Sequence, residues 1–251
     1  MPLDNDAFLT TQVVSPLAML YKREAETSNV HLMTQPYADS ERTFTWAQTM
    51  ELARKLAARI NTYRYPKGTR IGILGKNTAE WIITDIAIML SGHISVPIFS
   101  TAGKETISFV LEHAECPMLF IGKLDNNKAV KEATSDELVT VGFPYPSVEA
   151  KVSWDEFTDI APLDKSPLPD LNDIMTIIYT SGSTGKPKGV VHTYQTICWA
   201  AQNSLNTLSV SSEDRAMSYL PLAHITERVL VEFASFYSGG TLYFVESLET
   251  F

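Results

Sequence analysis

The run Ile174-Met-Thr-Ile-Ile-Tyr-Thr-Ser-Gly-Ser-Thr-Gly-Lys-Pro-Lys-Gly189 changes character halfway along. Ile174 to Tyr179 is an apolar, partly β-branched segment, the composition of a short buried strand. After it come only small, hydroxylic or cationic side chains: Thr180, Ser181, Gly182, Ser183, Thr184, Gly185, Lys186 and, past Pro187, Lys188. Gly182, Gly185 and Gly189 allow close approach of the backbone to a ligand and positive φ. Hydroxyls and free backbone amides supply donors, and the two lysines supply charge. Such a loop is equipped to hold an anionic oligophosphate.

The flanking sequence agrees. No carboxylate occurs between Asp173 and Glu213, although the chain as a whole carries 29 acidic against 20 basic residues. A carboxylate beside a polyphosphate would repel it strongly in a low-dielectric cleft. The loop is not a Walker A motif, because Gly182 and Gly185 stand too close together and Pro187 follows Lys186. It is not the dinucleotide fingerprint either, since no Gly-x-Gly-x-x-Gly is present. Composition alone also permits an ordinary surface loop between strand and helix.

With 251 residues the chain can bury a sizeable core, and its 45% hydrophobic and 20% charged residues are ordinary for a globular protein. The net charge of −9 disfavours nucleic acid as a partner. Cys116 and Cys198 are too few for a disulfide framework and read as buried, reduced thiols. His31, His93, His113, His192 and His224 show no close pairing, so no zinc site is expected. The acidic N-terminus does not read as a signal peptide, which predicts a cytoplasmic protein. Trp81 to Phe99 holds a single charge, Asp85, and could pass for a short membrane span. Ser91-Gly92-His93 and Pro97 divide it into a helix and a strand, so it is expected to be core.

Strand and helix patterns alternate from Arg70 onward, predicting an α/β fold with largely parallel sheets and helices on both faces. Residues 1–160 read as a first α/β unit, the proline-bearing segment 161–173 as a linker, and 174–251 as the phosphate-loop strand and the start of a second unit. Beyond the loop the pattern predicts a helix from about Tyr194 to Leu208 and a strand near Met217 to Leu220. A longer helix, Pro221 to Ser238, is expected to turn Leu222, Ile225, Val229, Leu230 and Phe233 inward. A last strand is expected at Thr241 to Val245.

Tyr179-Thr-Ser-Gly-Ser-Thr-Gly-Lys-Pro-Lys-Gly189 resembles, at all eleven positions, the phosphate-binding signature of the adenylate-forming (AMP-binding) superfamily. Arg70 to Thr101, with Gly-Ile-Leu-Gly-Lys-Asn, Glu-Trp and Val-Pro-Ile-Phe-Ser-Thr, is similar to the first Rossmann-like unit of fatty acyl-CoA synthetases. Tyr219-Leu-Pro-Leu-Ala-His-Ile-Thr-Glu-Arg228 resembles their next core motif in its long-chain version. The resemblance covers nearly the whole chain, with the linker least distinctive.

The resemblance implies ATP-dependent activation of a fatty acid to an acyl-adenylate and then to acyl-CoA, as in a long-chain fatty acid–CoA ligase. ATP, Mg²⁺ and coenzyme A follow as cofactor and co-substrates. Thr180, Ser181, Gly182, Ser183, Thr184, Gly185, Lys186, Lys188 and Gly189 are the implied phosphate-binding residues, with Lys188 catalytic and the Thr184 hydroxyl a Mg²⁺ contact. His224 falls where the family places a residue near the acyl carboxylate, and capping a helix would equally account for it. Glu227 and Arg228 could pair with each other or with neighbours, and this charged pair leaves acyl-tunnel gating open. The family's later motifs, including its adenine and ribose contacts and its mobile lid domain, fall outside this sequence. The chain is therefore expected to be an N-terminal portion inactive alone, prone to self-association, and peripherally membrane-associated through its acyl substrate. A non-catalytic binder of a phosphorylated ligand and a structural assembly partner are the alternatives.

Overall fold

The computed structural model describes residues 13–37, 40–180 and 186–245. Helix α1 (Pro16–Thr27) opens the described chain, with Ser15 Oγ accepting from the Ala18 N–H and Pro16 at the first helical position. Strands β1 (His31–Tyr37) and β2 (Ser40–Thr45) pair antiparallel. A capping box between Thr45 and Gln48 then starts α2 (Trp46–Thr62).

From there the expected alternation sets in: β3 (Arg70–Leu74), α3 (Ala79–Leu90), β4 (Ile94–Ile98), α4 (Lys104–His113), β5 (Met118–Ile121), α5 (Lys128–Ala133) and β6 (Val139–Gly142). Short β7 (Val152–Ser153) and α6 (Trp154–Thr158) follow. Next come β8 (Ile174–Thr180), β9 (Lys188–Thr193), α7 (Tyr194–Leu208) and β10 (Arg215–Ser218). The last helical stretch is α8 (Ile225–Glu227), a π-helical segment (Arg228–Phe233) and α9 (Ala234–Ser238), ahead of β11 (Thr241–Phe244).

The strands form two sheets. A seven-stranded sheet runs β7-β6-β5-β3-β4-β8-β9, parallel except for the antiparallel β8–β9 hairpin, and a four-stranded sheet runs β10-β11-β1-β2. Alternate residues of the larger sheet face different helices. Ile71, Ile73, Met118 and Phe120 join the core under α2 and α3, while Leu119 and Ile121 join a second core with Ile107, Val110 and Val130 of α4 and α5. Both faces are therefore covered. Helix α3 is buried along its whole length, against α2 and the strands β1, β3 and β4. That burial explains why its sequence is apolar all round. Ser91 and Gly92, the latter at φ +73°, turn the chain from α3 into β4. No helix among the described residues is long and apolar enough to cross a membrane.

Three details depart from the sequence pattern. The boundary placed at residues 161–173 separates neither sheet: β8 and β9 complete the first, and β1 and β2 lie with β10 and β11 in the second. Helix α7 begins at Tyr194, where the pattern places it, but Lys188 to Thr193 first returns along β8 as the unforeseen strand β9. The chain from Pro221 to Ser238 is not one regular α-helix, and Leu230 is 39% exposed, not inward. The π-helical segment has a wider turn, which rotates the following side chains out of the phase that an α-helical spacing predicts.

Candidate active site

Thr180 ends β8, Lys188 begins β9, and the two residues are direct cross-strand partners. They close the hairpin at the end that carries the glycine- and hydroxyl-rich loop. Ser181, Gly182, Ser183, Thr184 and Gly185 lie outside the described residues. Thr180, Lys186 and Lys188 are exposed, and no ion pair holds either lysine among the described residues. Gly189 sits opposite Tyr179 and is not among the positive-φ glycines. A Cβ there would lie 2.9 Å from Ile177 Cγ2 and 3.3 Å from the Tyr179 ring. At this position glycine makes room for side chains of the neighbouring strand.

Tyr179 is itself fixed. Its hydroxyl lies 2.7 Å from His113 Nδ1 on α4, and Phe109 packs against both rings. Burial raises its pKa, which keeps it a neutral phenol. The strand that feeds the loop is thus tied to α4 one residue before Thr180.

Thr180 and His224 line one cavity of about 500 Å³, with Pro97, Ile98 and Phe99 at the end of β4 and Val110 of α4. Pro97 helps to account for its position. The β4–β8 ladder registers only Ser95 with Thr176, and Pro97 has no N–H with which to extend it. His224 also caps α8: its Nδ1 accepts from the Thr226 N–H at 3.2 Å. Nδ1 therefore carries no proton, and the ring keeps Nε2–H as a donor. Capping and a place in the cavity wall are met by the same side chain. A second cavity, about 440 Å³, lies at the other end of the strands beside Lys67, His93 and Asp173, and no predicted site residue lines it.

Behind His224 is a buried charge cluster. Arg228 donates from Nη1 to Thr176 Oγ1 (2.7 Å), from Nη2 to Asp85 Oδ2 (2.5 Å) and Ser95 Oγ (3.4 Å), and from Nε to Glu232 Oε2 (3.3 Å). Its guanidinium also faces the Trp81 and Phe233 rings. Burial alone would lower its pKa, but the attraction of Asp85 and Glu232 prevails and the shift is upward. Glu232 goes well above the ordinary carboxyl range through burial and the nearby Asp85, despite Arg228. Glu227 and Arg228 do not pair: Glu227 accepts from Ser218 Oγ at 2.8 Å, and burial raises its pKa. Sequence reading had one signal for this cluster, the lone charge of Asp85 in an apolar segment. A charge in such a place requires a partner.

Open parallel sheets bind ligands beyond the carboxyl ends of their strands, where the strand order reverses. Here β3 lies between β5 and β4, so the order reverses beside the strand ends that lead to the cavity. The fold defines an α/β domain of the doubly covered, mostly parallel kind, with a cavity at the carboxyl ends of its strands. The profile of the AMP-binding enzyme family matches residues 22–251, and the chain belongs to that family. It is 34% identical over 208 residues to long chain acyl-CoA synthetase 3 of Arabidopsis thaliana, covering 75% of this chain and 31% of that one. It is 32% identical over 200 residues to fatty acyl-CoA synthetase A of Dictyostelium discoideum, covering 72% and 29%. The chain thus spans less than a third of the length of these curated relatives. Its fold superposes with TM-score 0.82 on the anthranilate CoA ligase AuaEII in complex with anthranoyl-AMP, at 19% identity over 95% of this chain and 46% of that one.

Proposed function

We propose that this chain is the N-terminal portion, carrying the phosphate-binding hairpin, of an enzyme that activates a long-chain fatty acid through an acyl-adenylate and passes it to coenzyme A. The observation that carries this reading is the Thr180–Lys188 pair, which closes the signature loop beside the cavity wall formed by His224. The similarity to long chain acyl-CoA synthetases supports the substrate class.

In this reading a fatty-acid carboxylate attacks the α-phosphorus of ATP, and pyrophosphate departs as the leaving group. The chain's part is to stabilise the negative charge that grows on the leaving oxygens. Lys188 and Lys186 bring to the hairpin end ammonium groups that no ion pair holds among the described residues. Thr180, Ser181, Ser183 and Thr184 bring hydroxyls, and Gly182 and Gly185 leave space for close backbone approach. In this reading the Nε2–H of His224 donates to a carboxyl or phosphate oxygen in the cavity that His224 lines. The apolar wall of Pro97, Ile98, Phe99 and Val110 suits an aliphatic ligand beside that polar end.

Mg²⁺ fits this donor set as a cation that arrives mainly on phosphate oxygens. No cluster of three or more histidine, cysteine or acidic residues exists among the described residues to hold it, and the Thr184 hydroxyl would be its protein contact. When bound, it neutralises phosphate charge. The thioester-forming half-reaction, in which the CoA thiolate attacks the acyl carbonyl and AMP leaves, would draw on parts of the enzyme beyond this chain. Cytoplasmic location and peripheral contact with membranes through the acyl substrate belong to the same reading.

ATP–pyrophosphate exchange by the full-length protein with a panel of acids tests it. Exchange dependent on fatty acids is expected. Exchange with amino or aryl acids and none with fatty acids would overturn the substrate class.

A further inference from the structure

Asn77 lies far from the phosphate loop in sequence and belongs to none of the predicted site residues. It follows β3 at the carboxyl end of the sheet, and each end of its amide is engaged by the turn that carries His224. Oδ1 accepts from the Leu222 N–H at 2.8 Å. Nδ2 donates to the Leu220 carbonyl at 2.6 Å and to Ser218 Oγ at 2.9 Å, with Glu227 Oε1 at 3.5 Å. Ser218 Oγ donates in turn to Glu227 Oε1 at 2.8 Å. The turn then closes on itself, His224 N to Pro221 O at 2.8 Å, and α8 begins.

Packing anchors the turn at Leu222 and Ala223, which are buried, whereas Tyr219, Leu220, Pro221 and His224 are exposed and take their order from hydrogen bonds. An amide is the side chain these partners require. Oδ1 meets a donor while Nδ2 meets a carbonyl, a hydroxyl and a carboxylate, so flipping the amide would set like against like at each contact. On the other side of His224, Arg228 holds the helix to β8 through Thr176. His224 therefore stands between two anchors, one before it in the chain and one after.

We propose that Asn77 is a positioning residue for His224, holding the 218–222 turn so that the imidazole keeps one tautomer and turns Nε2–H to the cavity beside Thr180. Asn77 acts through the turn and touches no reacting atom. The proposal rests on His224 being a site residue, as the functional reading has it. The geometry it predicts can nevertheless be measured without turnover.

The test is nitrogen-15 NMR of the imidazoles in the 251-residue chain, with the His224 signals assigned from His224→Gln. The wild type is expected to show His224 as a single neutral tautomer with Nδ1 unprotonated. In Asn77→Ala the Nδ1 signal should move toward the tautomer-averaged position, and amide exchange at Thr226 should quicken roughly five- to tenfold, as for the loss of one net hydrogen bond. Asn77→Asp, which sets an acceptor against Leu220 O and Glu227, should do the same or more. Ser218→Ala, which leaves the other three Asn77 contacts, should give a smaller change of the same sign and serves if the Asn77 variants do not fold. Ile60→Val, a distant core change, controls for loss of stability alone.

Unchanged His224 signals in Asn77→Ala, or in Ser218→Ala where that variant stands in, would overturn the proposal. So would an equal change in Ile60→Val. Exchange activity of the His224→Ala full-length enzyme judges the functional reading separately, so the two can fail independently.

Discussion

Arg228 Nη2 and Asp85 Oδ2 lie 2.5 Å apart although 143 positions separate the residues, and neither side chain has any exposed surface. The pair ties the helical stretch behind His224 to α3, while Arg228 Nη1 reaches Thr176 on the strand that feeds the loop. A buried ion pair adds little net stability over a well-packed apolar substitute, but removing one partner leaves an uncompensated charge. Arg228→Met should therefore destabilise the chain by about 3–5 kcal/mol. Asp85→Leu/Arg228→Met/Glu232→Leu should recover most of that loss. Urea denaturation of the single and triple variants reads the difference, and an equally unstable triple would contradict the account.

Glu232 supplies a pH signature. Burial and the neighbouring Asp85 carboxylate raise its carboxyl pKa well above the ordinary range, despite Arg228. Among the described residues neither Asp85 Oδ1 nor Glu232 Oε1 has a hydrogen-bond partner, so nothing but a proton would offset their approach. A carboxyl with a raised folded pKa contributes stability that is complete below its unfolded value of about 4.3 and fades as pH rises through the folded value. Glu232→Gln keeps a donor and cannot titrate. The stability of wild type relative to Glu232→Gln should hence fall as pH is raised from 4. Glu227, His93 and His192 remain in both proteins, so their own shifts cancel to first order. Parallel stability curves would refute a protonated Glu232.

The two cysteines offer a simple check on the core. Burial pushes the Cys116 thiol up to about 12 and Cys198 up to about 11. Because the thiolate is the reactive form, neither should label with a thiol reagent at pH 8 in the folded chain. Both should label completely in denaturant.

At the hairpin, Lys188→Ala and Thr184→Ala in the full-length protein should each lower adenylation by about 10²–10³, the effect of losing one preorganised donor. Lys188 is exposed and unpaired among the described residues, so the melting temperature of its alanine variant should barely change. Undiminished exchange rates would remove these residues from the leaving-group site.

The 251-residue chain by itself should bind ATP weakly and turn nothing over, since in the proposed reading its hairpin holds only the phosphates. It should also self-associate. β9 is an edge strand, with Val190 42% and Val191 53% exposed along it. Calorimetry with ATP and light scattering measure both, and Val191→Lys should reduce the association. Micromolar ATP affinity from a clean monomer would contradict the prediction.

Local sequence determined most of the elements here, because caps, turns and alternation act over a few residues. Thr45 with Gln48 set the start of α2, and Ser91-Gly92 ended α3 in a segment whose hydropathy resembled a membrane span. The eleven-residue signature was legible for the same reason, since its residues are consecutive. Only the tertiary structure decided how the strands sort into sheets, for pairing partners such as β1 and β11 stand some two hundred residues apart. Tertiary structure also decided that Gly189 makes room for Tyr179 and Ile177, and that Leu230 turns outward from a π-helical segment. Asp85 showed in the sequence only as a lone charge in an apolar segment, and Asn77 and Arg228 carry no local signature of their roles. Their partners come from distant parts of the chain, and it is burial, a property of the whole fold, that makes those partners obligatory.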